Sequence, residues 1–170
     1  KKIINTKILK LLLFYSSLIF LCRLIPHVPN FTPVFAVIIF SSNFQLNLLK
    51  KFFFIISPLI LSDIFLGFYV INLWVYLAYI FIILVNQKLN NLSLKNILYK
   101  SFSYNLIFYV ITNLGVWIGS NFYTKDLNGL LECYILALPF FGNALISTLF
   151  FLFIFNKFNK FSFYKNLKRI

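Results

Sequence analysis

Asp63 is the residue whose placement demands most of its surroundings. It is one of three acids in 170 residues and falls inside an apolar run, Phe52–Phe68. Counted from Lys51 it lies 12 residues along, about 18 Å up a helix at ~1.5 Å per residue. In a hydrocarbon core ~30 Å thick that is the outer half. An unpaired acid there costs on the order of 3 kcal/mol. It is therefore expected to face other helices and to have a partner, with Arg23, His27 or a backbone turn as candidates. Two roles fit, solute binding and a structural one, as an ion pair or a helix-end cap. Gly67, four residues on, permits close approach or the turn into the next helix.

The other polar residues that are costly in lipid fall on the same side. Pro26–Pro33 packs three prolines into eight residues, PHVPNFTP. Proline removes backbone donors and fixes φ, so this segment is expected to be stiff and non-helical. Such backbone is tolerated at membrane depth only when buried in protein or lining a wet cavity. His27 and Asn30 would then face the cavity; a rigid surface turn is the other reading. Asn113 and Trp117 are four apart and share a helical face, as an aromatic-walled polar pocket would need. Interhelical hydrogen bonding with an interfacial anchor would use the same pair. Gly115 and Gly119 form a G-x-x-x-G packing pattern. Further on, Tyr123-Thr124-Lys125-Asp126 leads toward Glu132, where Asp126 and Glu132 also suit a helix N-terminus. Pro139 can kink that helix, and Asn143 lies about three turns beyond Glu132. The candidate binding set is thus His27, Asn30, Asp63, Asn113, Trp117 and Asn143, with Tyr123 and Glu132 secondary.

Catalytic templates fit poorly. One histidine cannot make a His-rich metal site, and no H-E-x-x-H, G-x-S-x-G or Walker pattern occurs. The reading is of a non-enzyme without metal or cofactor, in which any energised transport relies on another subunit. Cys22 and Cys133, 111 residues apart, either pair near the outer face or serve as small apolar residues.

The elements that position these residues follow from composition. The chain is 61% hydrophobic, 21% aromatic and 11% charged, with mean hydropathy +0.90. A soluble domain averages about 45–50% apolar and about 25% charged residues, so a bilayer is the expected solvent. Phe, Ile, Leu, Asn and Lys are abundant, as in an A/T-rich genome, which weakens scattered Asn and Lys as signals. Apolar stretches at 8–25, 31–49, 52–68, 70–85, 97–118 and 130–155 predict an all-α bundle of about six transmembrane helices. A span needs about 17–25 residues. The second stretch has a polar far end (Ser41, Ser42, Asn43, Gln45, Asn47) and reads as a span or as a short helix from Pro33 to about Phe44.

With six crossings, all but two of the 16 positive charges fall on one side. Arg23 and Lys125 are the exceptions, and all three acids lie with them. The positive-inside rule then puts both termini in the cytoplasm. It also accounts for the net charge of +13 without nucleic acid. The bulky residues around Cys22 lack a small-x-small cleavage site, so the first helix reads as retained rather than as a signal peptide.

Four blocks carry a resemblance: PHVPNFTPV (Pro26–Val34), SPLILSDIFLGFY (Ser57–Tyr69), TNLGVW (Thr112–Trp117) and YTKDLNGLLECYILALPFFGN (Tyr123–Asn143). They resemble a bacterial family of small, uncharacterised multi-pass membrane proteins to which transport has been ascribed. In size, helix number and orientation the chain is similar to the substrate-capture (S) components of energy-coupling-factor vitamin transporters. That likeness implies capture of a solute from outside and coupling to a separate transmembrane and ATPase module. S components often carry alanine-based contacts on the first helix, where this chain has Ser16 and Ser17 and no alanine. The expectation is a bacterial inner-membrane protein whose outward-facing pocket binds a small solute, as transporter or capture subunit. The alternative is a non-transporting structural or assembly subunit.

Overall fold

A computed structural model describes residues 6–44, 46–88 and 93–167, and among them it is all-helical. The helices are α1 (Thr6–Leu24), α2 (Val34–Phe40) with a 3-10 turn over Ser41–Asn43, α3 (Leu48–Leu66), α4 (Val70–Lys88), α5 (Leu94–Gly119) and α6 (Leu127–Leu167). Three of them, α4, α5 and α6, are long and apolar enough to cross a membrane. The 19 residues of α1 and of α3 each include three charges: Lys7, Lys10 and Arg23 in one, Lys50, Lys51 and Asp63 in the other. The outer surface is apolar. Phe53, Phe65, Leu73, Ile135, Ile146 and Phe153 are all exposed on helix faces, which in water would be an aggregation surface far beyond that of ordinary soluble proteins.

The second apolar stretch, 31–49, departs from a spanning helix. Helix α2 has seven residues, about 10 Å, against a ~30 Å core. Pro33, at the N-cap, sets its start. Its end is set by hydrogen bonds that compete for the helix carbonyls: Ser41 Oγ donates to Ile38 O at 2.6 Å, and Asn86 Nδ2 donates to the same oxygen at 2.7 Å. All seven side chains of α2 are buried, as expected of a helix that is apolar all round.

Helix directions follow from the cross-contacts. Ser16 reaches Phe54 and Arg23 reaches Asp63, so α1 and α3 run parallel. The chain between them must therefore return, and does so through an extended segment followed by α2. Helix α2 runs alongside α6, with Thr32 against Ser147 and Phe40 against Phe155. Helices α3 to α6 then alternate. One end of the bundle carries Asp63, Asp126 and Glu132; the other carries the described lysines of α1, α3 and α5, with Lys157 of α6. The start of α1 and the far part of α6 both lie at the lysine-bearing end. Lys1, Lys2, Gln45, the loop around Asn91, Lys168 and Arg169 lie outside the described residues.

Two features tie the elements. Pro58 in α3 has no N–H for the Phe54 carbonyl one turn back; Ser16 Oγ of α1 donates to that carbonyl at 2.6 Å. At the lysine-bearing end Asn86 Oδ1 accepts from Ser42 Oγ (3.0 Å), Lys100 Nζ (3.2 Å) and Tyr104 Oη (3.1 Å), joining the 3-10 turn, α4 and α5.

Candidate ligand-binding site

The alternation of α4, α5 and α6, with α2 filling only the lysine-bearing half, leaves space in the other half. A cavity of about 450 Å³ lies there. Helix α5 supplies one wall through Asn105, Phe108, Tyr109, Thr112, Asn113 and Val116, residues recurring at three and four along one face. Helix α6 supplies Cys133, Ala137, Phe140, Phe141 and Ala144, again one face, whose two alanines leave the room. Ile71 and Val75 of α4 complete the walls, Tyr123 stands at the loop end, and Asn30 enters from the proline-rich segment.

That segment is non-helical from Pro26 to Thr32. Asn30 takes φ 64°, the left-handed region that Asn tolerates better than most residues. Helix α6 pins the segment: Asn143 Nδ2 donates to Pro29 O at 3.2 Å and Ser147 Oγ to Thr32 O at 2.6 Å. These anchors lie about 24–30 Å along α6 from its start, so the irregular backbone lies against the middle of that helix, exposed over residues 26–30, and one residue of it lines the cavity.

Of the expected site residues, Asn30, Asn113 and Tyr123 come together in the cavity. The others do not line it. His27 is exposed, with Nδ1 2.6 Å from Ile25 O. Asp63, 2% exposed, has both carboxylate oxygens engaged: Arg23 pairs with Oδ1 and Tyr76 Oη donates to Oδ2 at 2.5 Å. Asn143 anchors Pro29 from outside the cavity wall. Glu132 is exposed on α6.

Trp117 belongs to the α5–α6 connection. Its Nε1 donates to Thr124 O at 2.8 Å, Lys125 Nζ donates to its carbonyl, and the lysine ammonium lies 5.8 Å from the ring centroid. Asp126 Oδ1 accepts from the Gly129 amide (2.8 Å) and the Thr124 hydroxyl (2.7 Å), capping α6. The Gly129 amide first, and then the hydroxyl, hold this carboxyl below the usual carboxylate range. This braced loop carries Tyr123 to the cavity.

Sequence reasoning missed Asn105, Tyr109 and Cys133 as lining residues. Tyr109 Oη donates to Tyr134 O (2.5 Å) and Tyr134 Oη to Val110 O (2.7 Å), stitching α5 to α6 beside the cavity. The available signal was the four-residue ladder Asn105–Tyr109–Asn113, which Asn-rich composition obscured. Both cysteines are free thiols, and no cluster of metal-ligating side chains occurs among the described residues. No charged side chain among the described residues lines the cavity.

A sequence family described as "Family of unknown function (DUF6580)" matches residues 2–168. No curated protein and no solved structure matches the chain.

Proposed function

The chain belongs to this family of unknown function, and from its geometry we propose that it captures a small solute in the α4–α5–α6 cavity, as a transporter or its capture subunit. The observation that carries the reading is the cavity itself, about 450 Å³ with aromatic walls and a few convergent polar groups, the usual composition of a small-molecule site. In this reading the chain crosses a bacterial inner membrane six times. Five crossings are helices, and the sixth is the proline-rich segment completed by α2. Broken crossings of this kind commonly shape transporter sites near the membrane midplane. The positive-inside rule supports a lysine-bearing end in the cytoplasm, with the cavity toward the outside. Ion pairing between Arg23 and Asp63 lets α1 and α3 lie in lipid despite their charges. The likeness to S components rests on helix number and direction, and a partnering energising module is part of the proposal.

An assembly role has one observation in its favour. A second hollow of about 380 Å³ between α1 and α6, bounded by Leu11, Phe14, Phe151 and Phe158 among others, is almost wholly apolar, as a seat for a lipid tail or another helix would be.

Mass spectrometry of small molecules copurifying with the detergent-extracted protein separates the two, with Ala137→Phe as the filled-cavity control. Capture predicts a molecule present with the parent and missing from a folded Ala137→Phe protein. Identical profiles from the two preparations, empty ones included, go against it.

A further inference from the structure

The apolar hollow between α1 and α6 takes its shape from helical spacing. Leu11, Phe14, Tyr15 and Leu18 recur at three and four along one face of α1, and the α6 side repeats that spacing from Phe151 to Phe158. Tyr15 and Phe155, both buried with ring centroids 4.6 Å apart, close its inner side. Phe14 and Phe158, 55% and 66% exposed, stand at the rim, so the hollow opens to the outside of the bundle. From Leu11 to Leu18 it runs about 10 Å along α1, with a volume of about 380 Å³.

Two observations restrict the occupant. Helices that pack together in lipid meet through glycine, alanine, serine or threonine, which let their backbones approach. None of these lines the hollow; an acyl chain needs no such approach and brings no polar group inside. The second observation is charge. Lys10 lies one turn before Phe14 on α1, and Lys157 one turn after Ile154 on α6, each on the edge of the hollow's face. The two helices run in opposite directions, so both lysines fall at the same end of the hollow. Both are exposed, the Lys157 ammonium resting 4.5 Å from the Phe153 ring centroid. All three acids of the chain lie at the other end of the bundle, so neither lysine has a carboxylate to pair with. Cations beside an apolar seat attract the anionic headgroups of the adjoining leaflet.

We propose that the α1–α6 hollow seats one acyl chain of an anionic phospholipid, whose phosphate lies between Lys10 and Lys157. This uses the membrane crossing of α1 and α6 proposed above, but not the solute cavity.

Native mass spectrometry of the delipidated full chain in detergent tests this, by titration with phosphatidylglycerol and with phosphatidylcholine of the same acyl chains. Phosphatidylglycerol should fill one site per chain and, at low salt, bind at least about tenfold more tightly, the scale of two lysines acting on an anionic headgroup. A protein carrying both Lys10→Gln and Lys157→Gln should bind the two lipids alike. Leu18→Trp, which fills the hollow, should lose the site. Should Leu18→Trp fail to fold, the lipid ratio in the parent and its loss in the lysine variant still decide, since both lysines are exposed. Equal affinities in the parent, a preference kept by the folded lysine variant, or binding unchanged in a folded Leu18→Trp protein overturn the proposal. So does a dimer that excludes the lipid and is lost in Leu18→Trp, because a second copy is then the occupant. Ala137→Phe, which fills the other cavity, should bind phosphatidylglycerol as the parent does, so solute capture and lipid seating fail separately.

Discussion

Asp63 illustrates how a costly residue can be explained without a ligand. Its carboxylate is shared between Arg23 of α1 and Tyr76 of α4, so three helices meet on one charge. Removing one partner of a buried pair costs about 3–5 kcal/mol because the other charge is stranded. Arg23 keeps 20% of its side chain exposed, which places Asp63→Asn near the lower end, roughly 3 kcal/mol. Thermal unfolding in detergent should show that loss, and ligand-induced stabilisation of the remaining folded protein should be unchanged, because Asp63 does not line the cavity. A melting temperature equal to the parent's, with ligand response abolished, would return Asp63 to the binding site. Burial cost made Asp63 conspicuous in the sequence, and Arg23 was among its expected partners. What the sequence could not separate was ion pair from binding group, since both repay the same penalty.

At the scale of elements, the α1–α3 seam depends on a carbonyl freed by proline. Ser16→Ala should destabilise by about 1–3 kcal/mol, the cost of a buried acceptor left without a donor. In a Pro58→Ala background the helix regains its own N–H for Phe54 O, so Ser16→Ala should cost clearly less. A double-mutant cycle in detergent reads this coupling directly; additive losses would mean the two residues are unrelated. The α4–α5 seam is governed by Gly115, where an added Cβ would sit 2.2 Å from Trp74 Cγ. Gly115→Ala should therefore cost roughly 1–3 kcal/mol of overpacking, and an unshifted melting temperature would show that Trp74 moves freely. Gly119, the other half of the G-x-x-x-G, faces Val70 of the same helix, so that pattern did mark a packing face. The α6 cap should respond to acid. Asp126 has its folded pKa depressed, so its stabilisation is present above the ordinary carboxylate value of about 4 and is lost as pH falls through the lower folded value. The protection factor of the Gly129 amide, its exchange rate corrected for the intrinsic pH dependence, should fall over that acid range and stay level above it; a protection factor insensitive to acid would mean that the cap contributes nothing. Long apolar helices were readable from hydropathy alone. Helix α2 was less so, because its length is set by Asn86 and Ser41 bonding to Ile38 O, contacts made across 48 residues and by a serine three residues away.

Taken as a whole, the molecule separates its charges by end and its packing by half. Helix α2 and its polar ties occupy the lysine-bearing half beside the apolar α1–α6 hollow; the acid-bearing half holds the polar-lined cavity. Charge segregation was legible because it needs only helix count and parity, whereas the cavity was legible only in part. Asn30, Asn113 and Tyr123 stood out by their neighbours, but Asn105 and Tyr109 are residue types the composition supplies everywhere. Asn91→Cys, in a protein lacking Cys22 and Cys133, should label only from the cytoplasmic side; labelling from outside intact cells would reverse the orientation. The most direct measurement of an outward-facing cavity uses the same background with Asn113→Cys on the cavity wall and Val110→Cys on the apolar outer face. A membrane-impermeant thiol reagent applied to intact cells should modify position 113 and leave position 110 unreacted, because a thiol facing lipid has no water in which to ionise. If position 113 reacts only after the membrane is opened, or no faster than position 110, the cavity does not face outward and the account is contradicted.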